Sequence, residues 1–118
     1  MLAGLKDLKI EEGSVFAEQF QWLNADGSVK DLTGYTAKSE VRSTKDAASV
    51  LITFSVVLGG VNGTIEISAT SAETRSLSFN RAFWDLEVSP SGAADLNTAT
   101  DVIRVVEGQV VLSREVTR

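Results

Sequence analysis

Asp85 and Glu87 are the two residues of this chain with the most chemistry to offer. Two positions apart on a strand, they would share one face about 7 Å apart, a spacing compatible with the paired carboxylates of glycoside hydrolysis. They alternate with Trp84, Leu86 and Val88, however. Charges opposite an apolar parity describe the solvated face of a half-buried sheet, and that reading is the stronger. A second group, Asn24, Asp26, Ser28 and Asp31 around Gly27, superficially matches an oxygen-rich calcium loop. The glycine is misplaced and the distal glutamate is missing, so a turn whose side chains bond their own backbone fits better. The glycines of 59–63 lack the lysine and the helix of a phosphate loop, and read as turns.

Cysteine and histidine are both absent. Their absence removes the Ser-His-Asp and Cys-His nucleophile systems and the usual zinc ligands. The expectation is a protein that is not an enzyme and needs no cofactor. Trp22, Trp84, Tyr35, Phe16, Phe20 and Phe54 could line a sugar-binding groove. The parities of Trp22, Trp84, Phe16 and Phe20 also hold aliphatic or small residues, which favours the core, and both tryptophans are expected to be largely buried. Phe83 shares the parity of Asp85 and Glu87, so it is either an exposed interface anchor or a cap on the end of the sheet.

Sixteen acidic and eleven basic residues give a net charge of -5. That balance argues against a sequence-independent grip on nucleic acid. The most apolar stretch, 50–58, is far short of the roughly twenty residues that cross a bilayer, so no membrane role is expected. Lys6, Asp7 and Lys9 interrupt the apolar core that a signal peptide at 1–12 would need, which implies folding in the cytoplasm.

The elements that carry these residues follow from period-two alternation. Phe16, Glu18, Phe20 and Trp22 form one strand face, and the turn chemistry of Asn24 to Ser28 ends it. Tyr35, Ala37, Ser39 and Val41 form a second face, and 43–49 is a polar loop. Val50, Ile52, Phe54 and Val56 read as a third run, which turns through 59–63 into Ile65, Glu66 and Ile67. Thr70 and Glu73 fit a capping box, so 71–77 should hold one or two helical turns. Ala82, Trp84, Leu86 and Val88 define the next strand, the loop 89–101 is long and polar, and Glu107-Gly108 divides the last two runs. Either one bent strand or a tight hairpin would fit there, and the glycine marks a bulge or a close backbone approach. The chain therefore predicts a single domain over 1–118, an all-β, immunoglobulin-like antiparallel β-sandwich of about seven strands with one short connecting helix.

The stretch Asp26-Gly27-Ser28-Val29-Lys30-Asp31-Leu32-Thr33-Gly34-Tyr35-Thr36-Ala37, with Val41-Arg42, Trp84-Asp85-Leu86-Glu87-Val88, Gly108-Gln109-Val110 and the ending Arg114-Glu115-Val116-Thr117-Arg118, resembles small virion proteins of tailed bacteriophages and prophages. The likeness is to the immunoglobulin-like N-terminal domain of phage baseplate upper proteins. Physically, Asp31 to Gly34 can form a side-chain-capped turn that tucks Leu32 into the core while Gly34 relieves the backbone. The resemblance implies a structural component of the virion, at tail, baseplate, neck or fibre attachment. It would be assembled in the host cytoplasm and present in several copies that dock neighbouring virion proteins. The candidate interface is Phe83 together with Ser91, Ala93, Ala94, Asp95, Leu96 and Asn97 of the loop 89–101. A carbohydrate- or host-surface-binding module is the alternative.

Overall fold

The computed structural model describes residues 4–92, 96 and 100–114. Two sheets pack face to face as a β-sandwich. The larger sheet takes β1 (Gly4–Leu5), β2 (Leu8–Glu11), β4 (Thr36–Arg42), β5 (Ile52–Thr53), β8 (Arg81–Ser89) and β9 (Ile103–Ser113). Its order is β1-β9-β8-β4-β5, with β2 continuing the β1 column along β9. The smaller sheet takes β3 (Phe16–Gln21), β6 (Ser55–Leu58) and β7 (Thr64–Ala69), in the order β3-β7-β6. In immunoglobulin lettering the small sheet is B-E-D and the large one is G-F-C-C′, which is the sandwich expected from the alternation.

The uniformly antiparallel expectation is corrected at the first strands. β1 and β2 run parallel to β9, pairing Gly4 with Val106 and Leu8 with Val110. Nearly the whole chain separates these partners, so no hairpin forces the antiparallel direction. Leu8 and Ile10 are buried between exposed Lys9 and Glu11, a four-residue alternation that the charges of the N-terminal segment obscured. Lys6 and Asp7 break the column. The Lys6 N–H reaches the Glu107 carbonyl at 2.9 Å, and Asp7 Oδ1 accepts the Gln109 N–H at 3.0 Å.

The run 50–56 is not one strand. Ile52–Thr53 pairs with β4 in the large sheet, whereas Ser55–Leu58 pairs with β7 in the small one. Phe54 lies at the crossover, 3% exposed and stacked on Phe16 with ring centroids 5.4 Å apart. By contrast, β9 is a single strand through Gly108. A Cβ at Gly108 would lie 2.0 Å from the Lys6 carbonyl oxygen, so this glycine marks a close backbone approach. The register irregularity falls elsewhere: Leu86 pairs with Val106 and Glu87 with Arg104, leaving Val105 as the extra residue.

Ile10, Leu32, Val41, Ile65, Ile67, Ala82, Leu86 and Val110 are almost completely enclosed between the sheets. Each branched aliphatic among them contributes about 1.5–3 kcal/mol of transfer free energy. Trp84 joins this core at 3% exposure, but Trp22 only half buries against it, because it sits past the end of β3 where the sheet opens into a loop. Helix α1 (Ser71–Arg75) has the full capping box, Thr70 Oγ1 accepting the Glu73 N–H at 3.1 Å and Glu73 Oε1 accepting the Thr70 N–H at 2.9 Å. Among the described residues no helix is long and apolar enough to cross a membrane.

Candidate docking face

The register of β4, β8 and β9 sets out the polar face of the large sheet as a grid. Lys38, Glu87 and Arg104 lie side by side, then Glu40, Asp85 and Glu107, then Arg42, Phe83 and Gln109. Strand parity sends all nine outward, opposite the Val41, Trp84 and Leu86 core positions. The middle row brings three carboxylates together, an arrangement that costs free energy unless cations answer it. Four do. Arg42 Nη2 lies 3.1 Å and Lys38 Nζ 3.6 Å from the Glu40 carboxylate, Lys45 Nζ lies 3.5 Å from Glu107, and Arg104 bridges Asp85 at 3.5 Å and Glu107 at 3.7 Å.

Asp85 sits at the centre of this row. Burial raises its carboxyl, Glu87 raises it further, Arg104 opposes them, and Glu40 and Glu107 add to the rise, taking it to about 6. Asp85 is thus half enclosed rather than fully solvated, which its place along β8 alone did not reveal; burial is the main cause of the rise, Glu87 on the same strand comes next, and the cross-strand Glu40 and Glu107 add least. The Arg42 guanidinium also donates to the carbonyls of Ala47 at 2.7 Å and Ala48 at 2.9 Å, holding the polar loop against the end of β4.

Phe83 is half-buried at the meeting point of two shallow hollows of about 330 and 210 Å³. Leu5, Lys6, Asp7 and Gln109 line the first, Glu40, Arg42, Asp85 and Arg104 line the second, and Lys45, Phe83 and Glu107 border both. The arrangement is an aromatic floor between charged walls. Among the described residues no group of three or more carboxylates is placed to hold a metal ion.

The other candidate residues separate from Phe83. Ser91 is exposed at the base of the loop, where Asp101 binds it: Asp101 Oδ2 accepts the Ser91 N–H at 3.1 Å and Oδ1 accepts the Ser89 hydroxyl at 2.7 Å. These bonds, that from the Ser89 side chain first, hold the Asp101 carboxyl below its ordinary range. Leu96 is buried, at 8% exposure. Ala93, Ala94, Asp95 and Asn97 lie outside the described residues.

No protein-family model matches this chain, and no curated protein matches it. The turn on which the resemblance rests takes the form that its residues require. Asp31 Oδ1 accepts both the Thr33 hydroxyl at 2.6 Å and the Thr33 N–H at 2.9 Å, Leu32 is 1% exposed, and Gly34 has φ 83°. Asp26 makes the same pair of bonds to Ser28. Both carboxyls are held below their usual range by these side-chain and backbone hydrogen bonds. Beside this turn Lys30 Nζ stands 5.0 Å from the Trp22 ring centroid and 5.9 Å from that of Tyr35, a cation held on aromatic faces.

Residues that sequence reasoning missed lie at the N-terminal column. The Lys6 carbonyl receives Trp84 Nε1, and Asp7 fastens Gln109. The one signal for them was Gly108, whose missing side chain announces a close neighbour without naming it.

Proposed function

We propose that this chain is a structural docking module of a tailed-phage particle, present in several copies and holding neighbouring virion proteins. The observation that carries the reading is that the small sheet ends on two edge strands, β3 and β6, while the large sheet offers a mixed-charge face around Phe83. Edge strands accept added strands, and charged rims around an aromatic centre select partners and fix orientation. The resemblance of the 26–37 turn and the later strand motifs to phage tail-region proteins supplies the kind of assembly. Mass spectrometry of purified particles tests it: the chain is expected as a stoichiometric component. Its absence from intact particles, with normal infectivity after deletion of its reading frame, would refute the proposal.

A second reading, binding of a host-surface carbohydrate, is favoured by Phe83 alone, since a ring flanked by Gln109, Glu107 and Arg42 can stack on a sugar face and hydrogen-bond its hydroxyls. Glycan binding by the isolated domain that is lost in Phe83→Ala would support it, and a blank glycan array would remove it.

A further inference from the structure

The edge of β3 combines three features that point to one kind of occupant. The first is its backbone. The Trp22 N–H donates to the Gly63 carbonyl at 2.8 Å in the register of the β3–β7 pair. Antiparallel pairs alternate, so Phe16, Glu18 and Phe20 aim their N–H and C=O groups at β7, while Ala17, Gln19 and Gln21 aim theirs away from the sheet. Six regular residues with no proline and no lysine leave that edge unguarded among the described residues, except for Glu18 on the inner parity, which Lys6 pairs at 3.5 Å.

The second is an apolar slot of about 300 Å³ beside the end of this edge, walled by Phe20, Trp22, Ile65, Val105 and Val106. It opens between the two sheets, and its volume suits one aromatic or branched aliphatic side chain. The third is a steric limit. Phe20 stacks on Trp84 of β8 with centroids 5.9 Å apart, so β3 lies above β8, and β9 with the β1–β2 column runs on past it. That overhang narrows the approach to β3 more for a second folded domain than for one extended strand.

We propose that β3 is a strand-acceptor edge, taking an extended segment of a neighbouring protein whose backbone pairs with Ala17, Gln19 and Gln21 and whose large apolar side chain enters the slot beside Trp22. The outer face at this edge specifies the segment further. Ala17, Gln19, Gln21, Ser55, Val57, Thr64 and Ser68 are uncharged, and among the described residues Glu66 is the one charge facing outward from the three strands. The incoming strand therefore carries small polar or apolar residues at its outward positions. This builds on the docking reading, and the measurement below can fail while the particle content stands.

The test uses the full chain and the peptide acetyl-Lys-Thr-Val-Thr-Phe-Thr-Val-Thr-Lys-amide, its lysines serving solubility. Saturable binding at about 0.1–1 mM is expected. On binding, the amide hydrogens of Ala17, Gln19 and Gln21 should exchange roughly tenfold more slowly while those of Lys9 and Val111 keep their rates. Replacing the peptide's Phe by Ser should weaken binding by about tenfold or more. Gln19→Pro removes an N–H that has no partner within the sheet, so the fold should stand and binding should vanish. Absence of binding, protection at another strand, or equal binding of the Phe and Ser peptides would overturn the proposal, whether or not the proline variant folds.

Discussion

The indole Nε1 of Trp84 donates a 2.8 Å hydrogen bond to the carbonyl oxygen of Lys6, joining residues 78 positions apart. One side chain thus satisfies its own buried donor and locks the first strand column onto the body of the sandwich, where Gly108 makes room for the Lys6 backbone. Trp84→Phe should keep most of the packing but orphan the carbonyl, costing about 1–3 kcal/mol in urea unfolding. Trp84→Ala adds a cavity and should cost about 3–5 kcal/mol. Equal stability of the wild type and Trp84→Phe would show that the bond contributes nothing net.

Gly108→Ala tests the same contact from the other side. The new methyl would meet backbone, which cannot swing away, so β1 must shift or detach at about 1–3 kcal/mol. Faster amide exchange at Lys6 than in the wild type, with the exchange of Ala17 unchanged, is the expected pattern.

Asp85 sets a pH dependence whose sign is unusual for a carboxylate. Its folded value near 6 lies above the ordinary 3.8, so between about pH 4 and 6 the folded state holds more proton than the unfolded one. Stability should therefore fall as pH rises through that window and level off above it. Asp85→Asn should flatten the slope and stabilise the chain at neutral pH. With the side chain 35% exposed and screened, the gain is on the order of 1 kcal/mol. Thermal unfolding of both proteins between pH 4 and 8 decides this, and an unchanged slope in the variant would assign the dependence elsewhere. Asp26, Asp31 and Asp101, all held below 3.8, act oppositely, and their stabilising bonds are lost only as pH falls beneath that range.

Asp101→Ala removes the acceptor that holds both Ser89 and Ser91. The Ser91 amide is expected to exchange roughly tenfold faster, and protease cleavage within 90–100 to quicken, while the global melting temperature moves little. A large drop in melting temperature would instead make this carboxylate part of the cooperative core.

Thr70→Ala dismantles the capping box of α1 and should lower stability by about 1 kcal/mol. Thr70→Ser keeps the oxygen and should restore most of it, which separates capping from the loss of a methyl group.

Much of this architecture was legible from alternation. The inner parities of β3, β4, β7 and β8, the capping box at Thr70 and the Asp31–Gly34 turn depend on residues within one or two turns of each other, and local chemistry carries that information. Partner choice does not travel the same way. An alternating run says which side faces the core but not which strand lies beside it, so 50–56 read as one strand although its halves join different sheets, and 4–11 received no strand although Leu8 and Ile10 are core. The candidate site divides along the same line. Phe83's outward parity was a property of the sequence; its place between two hollows, the closeness of Glu40 and Glu107 to Asp85, and the burial of Leu96 came only when non-local pairing set the register, because free energies of burial and charge depend on neighbours distant along the chain.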